Sequence, residues 1–159
     1  MNLYDGLATP SCVLNEQVAR QIFDTIGEDS LVVLIVDLDG HHWPSDSQAY
    51  AKLQIDDSLL NDIRGRINDG FEPVIVRQKN YTIVAAELAT ERTRCGYVAL
   101  LLPNKQSETS QTEIGLLEIL ISQINLVAKL IEKNILLYEL QNRNTPGTSS
   151  YVQREPALN

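Results

Sequence analysis

The sequence predicts an α+β fold with a central, largely antiparallel β-sheet, helices on one face and a long C-terminal helix. A run of strand length, apolar apart from Asp37, occupies residues 31–38. Three further strand-like segments follow in quick succession between residues 73 and 102. A Gly- and Pro-poor helical pattern then runs over residues 110–143. Consecutive strands followed by a helix favour this layered α+β arrangement over a doubly wound parallel sheet.

The first two elements are a short helix and a central strand. Asn15 is a suitable N-cap for a helix with an apolar face, and Gly27 is a suitable stop. Residues 31–38, LVVLIVDL, are apolar on both faces, so we expect a strand that is covered on both sides. Residues 39–56 are polar and irregular, and they predict the longest stretch of the domain without regular structure.

A second helix and three strands follow this connection. Asp57 can cap a helix, and Gly70 fits the left-handed residue that ends it. Residues 73–77 and 81–88 are typical of a hairpin, because a short polar turn separates two strand-like runs. Residues 94–102 form a third strand.

The long C-terminal pattern predicts how the protein assembles. Ser110 and Glu113 form a capping box, and about 32 helical residues at 1.5 Å each would span about 48 Å. Two apolar stripes lie on different sides of this helix. We expect one small domain to be unable to cover both of them, so we predict a homodimer. The alternative is the core helix of a monomer. The predicted dimer interface follows a three-four spacing: Leu117, Leu120, Ile124, Val127, Ile131, Asn134 and Tyr138. The second stripe contains Ile119, Leu126, Leu130, Leu137 and Leu140.

Size and charge narrow the class of protein. The chain has 159 residues, which suits an N-terminal segment (residues 1–14), one domain (residues 15–143) and a disordered tail (residues 144–159). Its net charge of −8 argues against nucleic acid as a partner. The residues show no signal-peptide pattern and no run of about 20 apolar residues, so we expect a cytoplasmic protein without a membrane partner. Cys12 and Cys95 lack the spacing of a disulfide framework or zinc site.

Three segments carry a family resemblance. They are LLEILISQINLVAKLIEKNILLYELQ (residues 116–141), CGYVALLLP (residues 95–103) and LVVLIVDLDG (residues 31–40). They resemble the closing helix, the last strand and the first strand of the GAF domain family, ligand-sensing and dimerising modules of signalling proteins that are related in fold to PAS domains. The resemblance covers residues 15–141 and implies a non-enzymatic regulatory domain. The chain lacks the family's cyclic-nucleotide, bilin and methionine sulfoxide reductase motifs, so no cofactor is implied and the ligand stays open.

Four residues are candidates for binding a ligand: His42, Trp43, Tyr50 and Arg94. The first three lie in the irregular connection, where an aromatic side chain beside histidines could line a small-molecule cavity. Arg94 could bind an anionic ligand, although solvated charges on a strand are the alternative. Further cations in the predicted sheet are Arg77, Lys79 and Arg92.

Two other chemistries remain open in the same region. The motif IVDLDG (residues 35–40) resembles the first motif of the haloacid dehalogenase phosphatases. In that family Asp37 would accept the phosphoryl group and Asp39 would be the general acid, with Mg²⁺ neutralising charge. His41, His42 and Asp46 could together hold a divalent metal, although we predict none.

We therefore predict a GAF-like sensory or regulatory domain that is not an enzyme and dimerises through its terminal helices. A signalling protein or a small molecule would be its further partner. The alternatives are a small magnesium-dependent phosphatase and a purely structural dimerisation module.

Overall fold

Four helices and five strands make up the described part of the chain, which comprises residues 14–26, 31–91, 93–104 and 111–144 of a computed structural model. In chain order they are α1 (Glu16–Ile26), β1 (Val32–Asp37), β2 (His42–Pro44), α2 (Ser47–Leu53), α3 (Asp57–Asn68), β3 (Val74–Arg77), β4 (Tyr81–Ala89), β5 (Arg94–Pro103) and α4 (Gln111–Asn144). Several predicted features lie outside the described residues: Cys12, Gly27, Arg92, Ser110 and residues 145–159.

The five strands form one antiparallel sheet in the order β2-β1-β5-β4-β3. The predicted α+β class, the antiparallel sheet and the long C-terminal helix are thereby confirmed. Strand β1 lies between β2 and β5, and its first five residues are all buried. The prediction of a strand covered on both sides is confirmed, because β-branched side chains alternate between two buried faces.

Helices cover both faces of the sheet, so the prediction that they gather on one face is wrong. One core lies between the sheet and helices α1 and α4, and it takes Val33 and Ile35 from β1. The second core lies between the sheet and helices α2 and α3, and it takes the alternate residues of β1, such as Leu34. Two apolar sheet faces each need a covering layer, because exposed apolar area costs roughly 25 cal/mol per Å².

The connection of residues 39–56 is more regular than predicted, because it contains β2 and α2. Asp46 stabilises the start of α2, since its side chain accepts hydrogen bonds of 2.9 Å from the backbone N–H groups of Gln48 and Ala49. A seven-residue helix has too few turns to show a clear apolar period, which explains why the pattern was missed.

The helix boundaries follow the capping residues closely. Asn15 caps α1 as predicted, because its Oδ1 accepts a 2.9 Å hydrogen bond from the N–H of Val18. Asp56, and not Asp57, occupies the N-cap of α3, and Asp57 is the first helical residue. Gly70 has φ +88°, the left-handed conformation predicted for the end of that helix.

Asn125 ties α4 to the end of β4. Its Oδ1 accepts a 3.2 Å hydrogen bond from the N–H of Ala89, and its Nδ2 donates a 3.1 Å hydrogen bond to the carbonyl of Glu87. The Nζ of Lys133 lies 3.4 Å from Oε1 of Glu91 in the turn after β4. Leaving the polar groups of this half-buried contact unpaired would cost about 1–3 kcal/mol, so Asn125 restrains both the rotation and the height of α4 on the sheet.

Candidate functional site

The turn between β1 and β2 is organised by the Asp37 side chain. Its Oδ1 accepts hydrogen bonds from the backbone N–H groups of Asp39 (2.9 Å) and His41 (2.8 Å), and its Oδ2 lies 3.1 Å from Nδ1 of His41. Gly40, at φ +91°, supplies the left-handed residue that the turn needs. Both oxygens of Asp37 therefore hold the turn together.

A groove follows this turn on the side of the sheet that carries α2 and α3. Two depressions of about 350 Å³ and about 290 Å³ adjoin there, and both are lined by Arg64 and Tyr97. We call them together the Arg64 groove. Its remaining polar lining consists of Asp37, Asp39, His42, Asp57, Asn61, Asn68, Glu87 and Arg94. The groove is thus polar, with charges of both signs, and suits a polar ligand or a peptide more than an apolar one.

Arg64 is the cation at the centre of the groove. Its Nη2 donates a 3.2 Å hydrogen bond to Oδ1 of Asn61, and its Nη1 lies 3.5 Å from the carbonyl oxygen of Leu38. Among the described residues it forms no ion pair with a carboxylate. A guanidinium that is held by neutral acceptors can still take a carboxylate or phosphate oxygen.

Two tyrosines in and beside the groove have perturbed acidity. Burial raises the pKa of Tyr97, although the positive charge of Arg64 partly opposes this effect. The Tyr97 hydroxyl donates a 3.2 Å hydrogen bond to the carbonyl of Leu60 in α3. Burial, and then the negative charge of Asp57, raise the pKa of Tyr50. Both phenols are therefore neutral hydrogen-bonding groups at physiological pH.

We expect Tyr97→Phe to change the pH dependence of stability. Because the pKa of Tyr97 is raised on folding, its contribution is fully present below the ordinary tyrosine pKa of about 10 and declines as the pH rises above that value. The variant lacks the hydrogen bond to Leu60, so its free energy of unfolding at neutral pH should be about 1 kcal/mol lower than that of the wild type. As the pH rises from about 9 to 11, its free energy of unfolding should fall by less than that of the wild type, because it has no tyrosine hydroxyl to ionise at this position. Urea unfolding at both pH values measures this difference. Tyr138→Phe, at a tyrosine that is 66% exposed, is the control, and equal alkaline losses in all three proteins would contradict the expectation.

The structure brings only part of the predicted ligand site together. His42 lines the Arg64 groove, and its ring centroid lies 5.6 Å from that of Tyr50. Trp43 faces the other side of the sheet, because successive strand residues alternate. There it packs against the core under α1 and lines a depression of about 430 Å³ together with Arg20 and Phe23.

The predicted cations also separate. Arg94 lines the Arg64 groove, where it pairs with Glu87 of the neighbouring strand β4. Arg77 and Lys79 lie at the opposite end of β4, beside Tyr81. The described residues therefore show no joint anion site of these arginines and lysines. The sequence alone did not predict that Arg94 lies apart from Arg77 and Lys79. Which charged residues of neighbouring strands lie at the same end of a sheet depends on how the strands pair.

The residues of the two alternative chemistries do not assemble as expected. Asp46 is engaged as the cap of α2, and His42 packs against Tyr50, so the predicted metal ligands point to different neighbours. One oxygen each of Asp37 and Asp39 and one nitrogen of His41 lie within 4.8 Å of one another, but Asp37 already stabilises the turn. The sheet is antiparallel, whereas the phosphatase fold needs alternating βα units.

The predicted dimer interface lies largely on the inner face of α4. Leu117 and Ile124 are buried in the core of the same chain, and Leu120, Val127 and Ile131 pack at its edge. Asn134 and Tyr138 are exposed. Most of the predicted seam is therefore covered by the subunit's own sheet and by α1, and it is not available to a second chain.

The opposite face of α4 carries large apolar side chains that the described chain does not cover. We call it the outer stripe, and its apolar members, with their exposed fractions, are Leu116 (61%), Ile119 (57%), Leu126 (57%), Leu130 (52%) and Leu137 (56%). Four of them belong to the second apolar stripe of the sequence. We expected one chain to leave one apolar stripe of the helix uncovered, and the outer stripe is such a surface. The uncovered stripe is the second one of the sequence, and not the stripe that was predicted to form the dimer interface.

Residues Glu113–Asn144 are also long and apolar enough to cross a membrane, by length and composition alone. The expectation that no segment has this property is therefore wrong. The core helix of a water-soluble protein passes the same test, and the inner face of α4 is packed in the core through residues such as Ile121 and Ile124. Crossing a bilayer would require this face to leave the sheet.

Comparison of the chain with protein-family models, with curated proteins and with solved structures finds no match. Function is therefore inferred from the geometry of this chain. Two surfaces stand out among the described residues, namely the Arg64 groove and the outer stripe, and they lie on opposite faces of the sheet.

Sequence reasoning missed Arg64 and Tyr97 as groove residues. Tyr97 alternates with apolar residues in β5 and looks like an ordinary core position. Arg64 lies on a helix in which Leu60, Ile63 and Ile67 are buried, so it borders the apolar face of that helix. An arginine beside a buried helical face was the available signal, although such residues commonly only cover apolar surface with their stems.

Proposed function

We propose that this protein is a GAF-like regulatory module without enzymatic activity, which assembles as a homodimer through the outer stripe of α4. The observation that carries the proposal is the exposure of five leucine and isoleucine side chains, each more than half exposed, along one face of a single helix. A row of exposed apolar side chains of this kind typically marks an interaction site.

A second copy of the chain is the partner that the helix itself supports. The members of the stripe are three, four or seven residues apart, so each falls on a seam position of a coiled coil along a helix of 34 residues. Its apolar members are about half exposed, so burying each of them contributes about 1 kcal/mol, or about 10 kcal/mol for two chains. Association costs at least about 4 kcal/mol, which leaves about 6 kcal/mol, so we expect a reversible dimer with a dissociation constant of tens of micromolar.

The Arg64 groove supplies a route by which a ligand or protein partner would regulate this assembly. Glu87 lines the groove, and its backbone carbonyl accepts a hydrogen bond from Asn125 of α4. A ligand that prefers one position of Glu87 would therefore also favour one position of α4, and with it the stronger or the weaker dimer. Helix α1 packs inside the subunit's own core, so the proposed interface is confined to α4.

Sedimentation equilibrium of the wild-type protein tests the proposal. Between about 1 and 200 µM we expect the mean mass to rise from one towards two subunits, as a micromolar dissociation constant requires. A single-subunit mass over this whole range would contradict it. Flotation with vesicles of neutral and anionic lipid distinguishes the other use of an apolar helix, since co-flotation of the folded protein without dimerisation would assign the stripe to a membrane surface.

A further inference from the structure

The outer stripe contains two polar residues at defined seam positions. With its polar members included, the seam consists of Leu116, Ile119, Gln123, Leu126, Leu130, Lys133, Leu137 and Leu140. Every step along it is three or four residues, so all eight positions lie along one side of α4. Gln123 and Lys133 are exposed and interrupt an otherwise apolar series.

The seam is symmetric about Ala128, which decides how two copies fit. Residues at equal distances on either side of Ala128 have matching character. The matching pairs are Leu126 with Leu130, Gln123 with Lys133, Ile119 with Leu137, and Leu116 with Leu140. When two such helices run in opposite directions with their centres aligned, each residue meets its matching residue in the other chain. All apolar positions then face apolar positions, and the two polar positions face each other.

A parallel arrangement would pair each position with its own copy. Lys133 would then face the partner's Lys133 within the seam, and two ammonium groups would be brought together in a partly desolvated place. Like charges at such positions are destabilising, and the Gln123 side chains would meet in a different layer. In the antiparallel arrangement the amide oxygen of Gln123 can accept a hydrogen bond from the partner's Lys133.

We propose that two chains associate through the outer stripe as an antiparallel helix pair whose twofold axis passes between Leu126 and Leu130, at the height of Ala128 but on the opposite side of the helix from that buried residue. This inference rests on the proposed homodimer and adds its direction and register. The Nζ of Lys133 is 3.4 Å from Oε1 of Glu91 in its own chain, and the Lys133 side chain is 57% exposed. Its ammonium group has three N–H donors, so it can contact the Glu91 carboxylate and donate to the amide oxygen of Gln123 in the other chain. Lys129 would approach the partner's Lys129 beside the axis, at the rim of the seam, where water and salt screen the repulsion.

Gln123→Glu tests the direction through charge. In the antiparallel pair the new carboxylate meets the partner's Lys133, so we expect the dissociation constant to fall about threefold or more at low salt. In a parallel pair two new carboxylates would face each other, and the dissociation constant would rise. The matched control is Gln48→Glu, which adds the same charge on exposed α2, on the other side of the sheet. A dissociation constant that is raised, or that changes no more than in the control, overturns the proposal.

Cysteine pairing tests the register. Chains with Gln123→Cys and chains with Lys133→Cys, both on a Cys12→Ser, Cys95→Ala background with retained circular dichroism, are mixed and oxidised. We expect a disulfide between the two kinds of chain, because the antiparallel register puts these positions in one layer. Two copies of position 123 would be ten residues apart along the axis, about 15 Å, which a disulfide cannot span.

The two proposals fail in different ways. Loss of dimerisation in the wild-type protein overturns the homodimer itself. A dimer in which Gln123→Cys chains link to one another, or in which no link forms between the two kinds of chain, overturns only the antiparallel register and leaves the homodimer standing.

Discussion

Replacing Leu126 and Leu130 together by lysine is expected to abolish dimerisation at every concentration up to about 200 µM. The two side chains are 57% and 52% exposed in the single chain, so the substitution leaves the core intact and should change the free energy of unfolding by no more than about 0.5 kcal/mol per site. In the dimer, four lysines would meet at the centre of the seam, where desolvation and repulsion raise the dissociation constant by at least about a hundredfold.

The control for this prediction is Phe71→Lys. Phe71 is 64% exposed and precedes the sheet strand β3, far in the chain from α4, so it offers a similar loss of exposed apolar surface at another place. Sedimentation equilibrium should show an unchanged dimer for this variant. If the double lysine variant also dimerises as the wild type does, another surface of the protein forms the contact.

Gly96→Ala is expected to destabilise the fold by about 3 kcal/mol or more. Gly96 pairs with Asp37 of β1 and has φ +144°, a conformation that residues with a side chain rarely adopt. A Cβ built at this position would lie 1.9 Å from the backbone carbonyl oxygen of Val36. Because the obstacle is backbone, one of the two central strands must move, and the strained φ adds to that cost. Urea unfolding followed by circular dichroism measures the loss.

The control is Gly115→Ala in α4. Apart from the adjoining residues and the helix's own backbone, no atom of the described residues lies within 4 Å of a Cβ built there, and alanine is a better helix former than glycine by about 0.8–1 kcal/mol. This variant should therefore be slightly more stable than the wild type. Equal effects of the two substitutions would show that β5 and β1 do not approach each other as closely as described.

The long and strongly patterned elements were predictable from the sequence. The apolar run of β1, the hairpin of β3 and β4 and the extent of α4 are set by local pattern, and all are confirmed. The short elements β2 and α2 were missed, because three and seven residues carry too little periodicity. We predicted helices on only one face of the sheet and so missed that α2 and α3 cover the second face. The two apolar faces of β1 had indicated a covering layer on each side.

The identity of the covered face of α4 depended on tertiary structure. Both stripes of the helix are apolar, so residue type alone does not tell which of them meets the sheet. The hydrogen bonds of Asn125 with Ala89 and Glu87 decide the rotation, and they turn Ile121 and Ile124 inward. An asparagine within an apolar helix gives no indication in the sequence of which backbone groups it will bind.

The candidate groove shows the same limit more strongly. His42 and Arg94 were singled out and do line it, whereas Trp43 lies on the other side of the sheet. The alternation of strand residues would have separated His42 from Trp43, had β2 been recognised as a strand. Arg64 reaches the groove from a helix that is distant in sequence, and only the packing of α3 on the sheet brings it there.

The sheet stands between α4 on one side and the Arg64 groove on the other. A pair of subunits joined along α4 would therefore carry its two grooves on its outer sides, facing away from each other. Such an assembly is bivalent. A partner with two groove-binding segments joined by a linker would gain avidity only if the linker could pass around both subunits. A surface that carries many copies of one groove-binding segment could instead be bound at two points by one dimer.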